Sequence, residues 1–226
     1  MASRTAILLG ASGLVGGRLL RLLEDDPAYT AVTLLTRRPL GLERGKVREL
    51  AVDFDRPETF RDHVAVDDVY CCLGTTIKKA GSQEAFCKVD RDAPVAVARA
   101  ARAAGARQFI IVTAVGADAK SRIFYNRVKG ETEQAISSLG FPNGFRAVHP
   151  SLIVGERAER RIAERAAMIA MVATRPLFVG GFTRYRAIDA IDVARAMHAA
   201  AFDESPAGGT KIYEGEALFA AARVNP

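Results

Sequence analysis

The 226-residue sequence has no tryptophan, three cysteines, three histidines and an aromatic content of only 7%. Each scarcity removes a class of function. Cys71, Cys72 and Cys87 have neither metal-ligand spacing nor a secretory context, so they read as reduced thiols. His63, His149 and His198 are too dispersed to suggest a zinc site, so no metal is expected. No stretch approaches the ~18 to 20 apolar residues of a membrane helix, which argues against a membrane partner. The first strand starts at about Thr5, which leaves no room for a secretory or transit segment, and the expectation is a cytoplasmic protein. The few aromatic residues do not cluster with basic ones, and no helix-turn-helix pattern is present. The net charge of +6 therefore does not point to nucleic acid, because arginines interleave with glutamates, as between Gly155 and Arg165, in the manner of a solvated helix face. Repeats, low-complexity tracts and long linkers are also missing.

With 49% hydrophobic and 26% charged residues in 24.3 kDa, the chain has the composition of one folded domain with a large core. Its organising stretch is Ala6 to Arg18. There an apolar strand runs into glycines at 10, 13 and 16 and then into the helical pattern Leu14, Arg18, Leu19, Leu22. A strand, a tight turn and a helix N-terminus align free backbone N–H groups with the positive end of the helix dipole, which suits a diphosphate. Gly10 is expected to turn the chain, Gly13 to let backbone approach phosphate, and Gly16 to let the helix pack close to the sheet. Ser12, Leu14 and Val15 complete this candidate diphosphate site. An ordinary βα turn of small residues has the same pattern; the strand before and the helix after favour dinucleotide binding.

Ala31 to Thr36 is a second apolar run, of the kind buried on both faces of a parallel sheet, and it ends in Arg37-Arg38-Pro39. The end of that strand faces the adenosine ribose in a dinucleotide fold. An acid there would bond a 2′-hydroxyl, and arginine accepts a 2′-phosphate. Two arginines and no acid favour NADP(H) over NAD(H), although a charged loop capping a strand reads the same way. A third strand over Val47 to Asp53 ends at Asp53-Phe54, a pair that either flanks adenine or faces water, with a short helix expected around Pro57 to His63. A fourth strand begins at Val69 and leaves the sheet through Leu73, Gly74, Thr75 and Thr76, near the cofactor's ribose or diphosphate. Ser82 to Ala104 is helical with a break near Asp92-Ala93-Pro94. Gln108 to Thr113 is a fifth strand, Ser121 opens a helix running to about Ser138, and Phe145 to Val154 is a sixth strand broken at Pro150. An Arg-rich helix, an aromatic and glycine segment from Phe178 to Tyr185, a helix capped by Asp189 and a last strand at Lys211 to Tyr213 follow. Alternation of strand and helix over the whole length predicts an α/β fold, doubly wound, with a mostly parallel sheet and helices on both faces.

Tyr125 and Lys129 lie four apart on the helix that follows strand five, hence on one face. With the glycine turn and Thr113, this pattern resembles the short-chain dehydrogenase/reductase superfamily, a Rossmann fold. The G-x-x-G-x-x-G spacing suits its extended and atypical branches. The stretches Cys71 to Gly81 and Ile123 to Glu131 are similar to bacterial relatives of the Tat-interacting-protein group. The resemblance implies that Tyr125 is the acid or base, that Lys129 bonds the nicotinamide ribose and favours the phenolate of a side chain that otherwise titrates near ~10, and that Thr113 steadies the substrate carbonyl. Pro150 would lie beside the nicotinamide. One domain spanning residues 1–226 is expected, with 151–226 contributing a small substrate-side lobe too short for a nucleotide sugar. Three functions are compatible: an NADPH-dependent oxidoreductase of a small carbonyl substrate, an NADP(H)-binding sensor or scaffold that acts on a regulatory protein partner, and an epimerase or isomerase that borrows and returns a hydride.

Overall fold

The computed structural model describes residues 3–154, 184–203 and 208–224. Strands β1 (Arg4–Leu9), β2 (Tyr29–Thr36), β3 (Val47–Ala51), β4 (Asp68–Cys71), β5 (Gln108–Val112) and β6 (Gly144–His149) join β9 (Thr210–Glu214) in one seven-stranded sheet of order β3-β2-β1-β4-β5-β6-β9. Every adjacent pair in it is parallel. The order reverses direction between β1 and β4, which is the switch point over which ligands of such sheets bind. A small separate sheet pairs β7 (Ile153–Val154) with β8 (Ile188–Asp189).

The central strands β1, β4 and β5 are mostly apolar and buried because helices cover both faces, whereas the edge strands β3 and β9 carry charged residues. Successive residues of β1 divide between two cores. Ala6 and Leu8 pack with Leu19, Leu23, Val193 and Met197 on one face, under helices α1 (Leu14–Asp25) and α6 (Ala190–Ala200). Ile7 and Leu9 pack on the other with Val97, Ala101, Phe109 and Ile136, under α4 (Ala93–Ala103) and α5 (Phe124–Ser137). A fully buried Leu or Ile contributes about 1.5 to 3 kcal/mol, so a one-residue slip of β1, which would exchange its two faces, is strongly disfavoured.

Several local details depart from the sequence expectation. α5 begins at Phe124 with Ile123 as its N-cap. Ser121 instead closes a turn before it, its hydroxyl accepting the Ile123 N–H at 3.1 Å. The expected break near Pro94 is a π-helical turn, Lys88–Asp92, between α3 (Gln83–Cys87) and α4. Pro94 sits in the first turn of α4, where its missing N–H costs nothing. The expected short helix is two 3₁₀ turns, Pro57–Thr59 and Arg61–His63. The sixth strand is interrupted around Pro150, as its proline requires. Asp189 is the N-cap of α6, and Lys211 to Tyr213 lie within β9. The described part of 151–226 divides: α6 covers one face of the main sheet and β9 extends its edge, with α7 (Glu216–Ala221) following. The Arg-rich helix, and Phe178 to Tyr185 apart from Arg184 and Tyr185, lie outside the described residues.

Candidate active site

Three backbone segments meet at the carboxyl edge of the sheet, and two glycines are what allow it. Gly10 has φ +81, and a Cβ there would stand 2.5 Å from the Cys72 carbonyl oxygen at the exit of β4. A Cβ on Gly16 would stand 2.2 Å from the Gly10 carbonyl oxygen, so the first turn of α1 rests on the glycine turn itself. Gly13 is the N-cap of α1, with an extended backbone, and donates its N–H to the Gly10 carbonyl at 2.9 Å. No side chain caps this helix, and its first turn holds no acidic residue. The first N–H groups, from Leu14, Val15 and Gly16, therefore keep their partial positive charge for an anion.

This turn opens into a groove of about 730 Å³. Gly10, Ser12 and Gly13 line its base, Arg37 follows β2, Asp53 and Phe54 follow β3, and Leu73, Gly74 and Thr75 follow β4. The residues present fit a dinucleotide: side chains at Gly10 or Gly16 would collide with backbone, and the open helix end meets a diphosphate. Arg38 is exposed next to Arg37 without lining the groove. Thr76 uses its hydroxyl to accept the Lys79 N–H at the start of α2 (Ile77–Ala80), and Pro150 accepts the Val115 N–H at 3.1 Å. Lys79, Ala85, Lys88 and Val89 also line the groove, and sequence reasoning missed them because their segment reads only as helix. A second cavity of about 330 Å³, between Arg186, Asp192, Arg195 and Phe219, shares no residue with the groove and holds neither the glycine turn nor a main-sheet strand end.

α5 presents Tyr125 and Lys129 one turn apart, with the lysine Nζ 5.9 Å from the centre of the tyrosine ring. The ring also packs on Phe86, 5.7 Å between centres. Lys129 is only 4% exposed. Its ammonium forms an ion pair with Asp90 Oδ1 at 2.7 Å. Asp90 is buried in the π-helical turn, and its other oxygen accepts the Thr75 N–H at 2.9 Å. Burial raises the Asp90 carboxyl above its ordinary range, against the pull of the Lys129 ammonium and the Thr75 N–H. A Cβ on Gly74 would be 3.9 Å from the lysine Nζ, so the ammonium lies behind Gly74, next to the groove but not among the residues that line it; Tyr125 does not line it either. Asp90 was the principal site residue not foreseen; its one signal is an acid inside the apolar helical pattern of Phe86 and Val89.

Thr113 sits just past β5, and its buried hydroxyl donates to Glu133 Oε1. The same oxygen lies 2.8 Å from His149 Nε2, and His149 Nδ1 lies 3.2 Å from Glu214 Oε2. Burial opposes a charge on His149, but the hydrogen bonds and charges of Glu133 and Glu214 outweigh it and raise the imidazole above its ordinary value. The proton of Thr113 is therefore committed inward, toward a carboxylate that also holds a histidine. Glu133 continues the stripe of Tyr125 and Lys129 along α5, one further turn on.

Comparison with known proteins agrees with this geometry. The chain matches the NAD(P)H-binding family model over residues 10–138. It is 32% identical over 201 residues to Protein HTATIP2 of Rattus norvegicus, covering 87% of this chain and 81% of that protein. It is 34% identical over 160 residues to Protein FMP52, mitochondrial, of Candida albicans, covering 69% of each. Among solved structures it is similar to a short-chain dehydrogenase/reductase superfamily protein from Agrobacterium tumefaciens with bound NAD, with a TM-score of 0.67 and 15% identity over 93% of this chain and 77% of that one. At that identity the likeness concerns the fold alone.

Proposed function

Because this chain belongs to the NAD(P)H-binding family, as an atypical relative of the short-chain dehydrogenases/reductases, we propose that it is an NADPH-dependent oxidoreductase of a small, mostly apolar carbonyl compound. The observation that carries this reading is the buried Lys129 ammonium behind Gly74 of the groove, held by Asp90 one helical turn from Tyr125. Burying a lysine and an aspartate is costly, which favours a pair that serves a site. When bound, the nicotinamide supplies a hydride to the carbonyl carbon. Tyr125 gives its proton to the carbonyl oxygen, and Lys129 stabilises the negative charge left behind while its remaining N–H donors hold ribose hydroxyls. Asp90 fixes where the ammonium stands. Thr113 holds Glu133 in this arrangement, so the substrate oxygen takes its proton from Tyr125.

Arg37 and Arg38 support NADPH over NADH. Both are exposed after β2, and among the described residues neither has an ion-pair partner; Arg37, which lines the groove, is the one placed to take a 2′-phosphate there. Arg37→Ala should narrow the preference for NADPH over NADH by about tenfold in calorimetry. Equal affinities in the unmodified protein would remove the NADPH assignment.

A second reading, an NADP(H)-dependent scaffold without turnover, is favoured by one observation: the Thr113 hydroxyl is spent on Glu133. Loss of NADPH absorbance against a panel of small aldehydes, ketones and quinones separates the two. Consumption with at least one of them is expected. Tight NADPH binding with no consumption by any would transfer the argument to the scaffold.

A further inference from the structure

We propose that Lys79 and Lys88 form a cationic clamp on the cofactor's phosphates in the groove that the glycine turn also lines; the inference rests on the dinucleotide reading above. Both lysines line the groove, Lys79 from α2 and Lys88 from the start of the π-helical turn. Both are exposed, and among the described residues neither ammonium has a carboxylate partner. Arg37, which also lines the groove, likewise has no ion-pair partner among the described residues, whereas Arg56 pairs with Glu58, Arg91 with Asp92 and Glu131, and Lys129 with Asp90. Unpaired ammonium groups lining a groove whose base is an open helix N-terminus mark a place for an anion.

Two features decide what kind of anion. The same groove is also lined by the apolar side chains of Ala80, Ala85, Val89, Val52 and Phe54. An apolar slot flanked by cations fits a planar base that carries phosphates, not a bare inorganic ion. The segment is also tied to the site. Thr75, which begins the run into α2, donates its N–H to Asp90, which ends the run from Lys88 and holds Lys129. Gly81, at φ +86, ends α2 in the left-handed conformation, and Lys79 and Lys88 line the same groove although they belong to different helical turns. Phosphate is the shared chemistry, and it has two sources in this ligand, the diphosphate and the adenosine 2′-phosphate.

The test measures dissociation constants of NADPH and NADH by fluorescence at low and high salt. It compares the unmodified protein with Lys79→Met, Lys88→Met, the double variant and Arg99→Met, a charge-matched control on α4 outside the groove. Each lysine variant should weaken NADPH binding about two- to fivefold and the double variant about tenfold or more, and high salt should shrink the differences. An equal loss for both cofactors assigns the lysines to the diphosphate; a loss for NADPH alone assigns them to the 2′-phosphate. Affinities unchanged, or changed no more than by Arg99→Met, overturn the clamp while leaving the groove intact. If the unmodified protein binds neither cofactor, the dinucleotide reading itself fails, and the clamp falls with it.

Discussion

At the scale of single residues, Asp90 decides more than any other side chain. It is 1% exposed and neutralises a lysine that is itself buried, so removing it leaves a positive charge in a place of low dielectric. Asp90→Ala should cost about 3 to 5 kcal/mol of stability in urea unfolding, and adding Lys129→Met should recover part of that loss. Recovery is the informative outcome, because an Asp90 needed only to accept the Thr75 N–H would show none. The glycines divide in a similar way. A Cβ on Gly16 meets the Gly10 carbonyl carbon at 2.8 Å as well as its oxygen, whereas one on Gly13 comes within 3.1 Å of that oxygen alone. Gly16→Ala should therefore lower stability by about 1 to 3 kcal/mol, and Gly13→Ala should leave the thermal midpoint nearly in place while weakening NADPH binding. Equal effects of the two on folding would contradict the separate roles assigned to them.

At the scale of elements, the helix α5 carries Tyr125, Lys129 and Glu133 along one stripe, and its placement depends on Gly130. A Cβ on Gly130 would lie 2.1 Å from the Ala119 backbone nitrogen, so the chain leaving Thr113 packs directly on the helix at that glycine. The stripe was legible from the spacing of Tyr125 and Lys129. The crossing was not, because it joins segments through backbone contact that leaves no mark beyond one glycine. The π-helical turn was equally hidden: Asp92, Ala93 and Pro94 read as an interruption, while the extra residue in that turn aims Asp90 at Lys129. His149 links α5 to β6 and β9. Its folded value is raised above 6.5, so the stability it contributes is present below about pH 6.5 and is lost as pH climbs through the raised value. The excess thermal midpoint of the unmodified protein over His149→Gln should accordingly shrink as pH rises above about 6.5. Burial lowers His198, whose contribution runs the opposite way, so the difference between the two proteins, and not either curve alone, is the quantity to follow. A gap that widens with pH would contradict the Glu133–His149–Glu214 assignment.

At the scale of the whole molecule, the parallel sheet and its two helical layers were readable because apolar runs such as Ile7 to Leu9 and Phe109 to Val112 have no polar face to show. The glycine turn located the groove, and the ends of β2, β3 and β4 brought Arg37, Asp53, Phe54 and Gly74 to it as the strand order requires. What the sequence hid lies between elements far apart in the chain: Asp90 with Lys129, Thr113 with Glu133, and His149 with Glu214. Such pairings follow from how strands and helices stack, and a one-dimensional pattern of polar residues does not encode them. The central claim, that Tyr125 beside the buried Lys129 is a working acid, is tested most directly by Tyr125→Phe. NADPH should bind this variant as tightly as the unmodified protein while reduction of the best carbonyl in the panel slows by about 10² to 10⁴-fold; reduction at the original rate would show that the proton comes from another group.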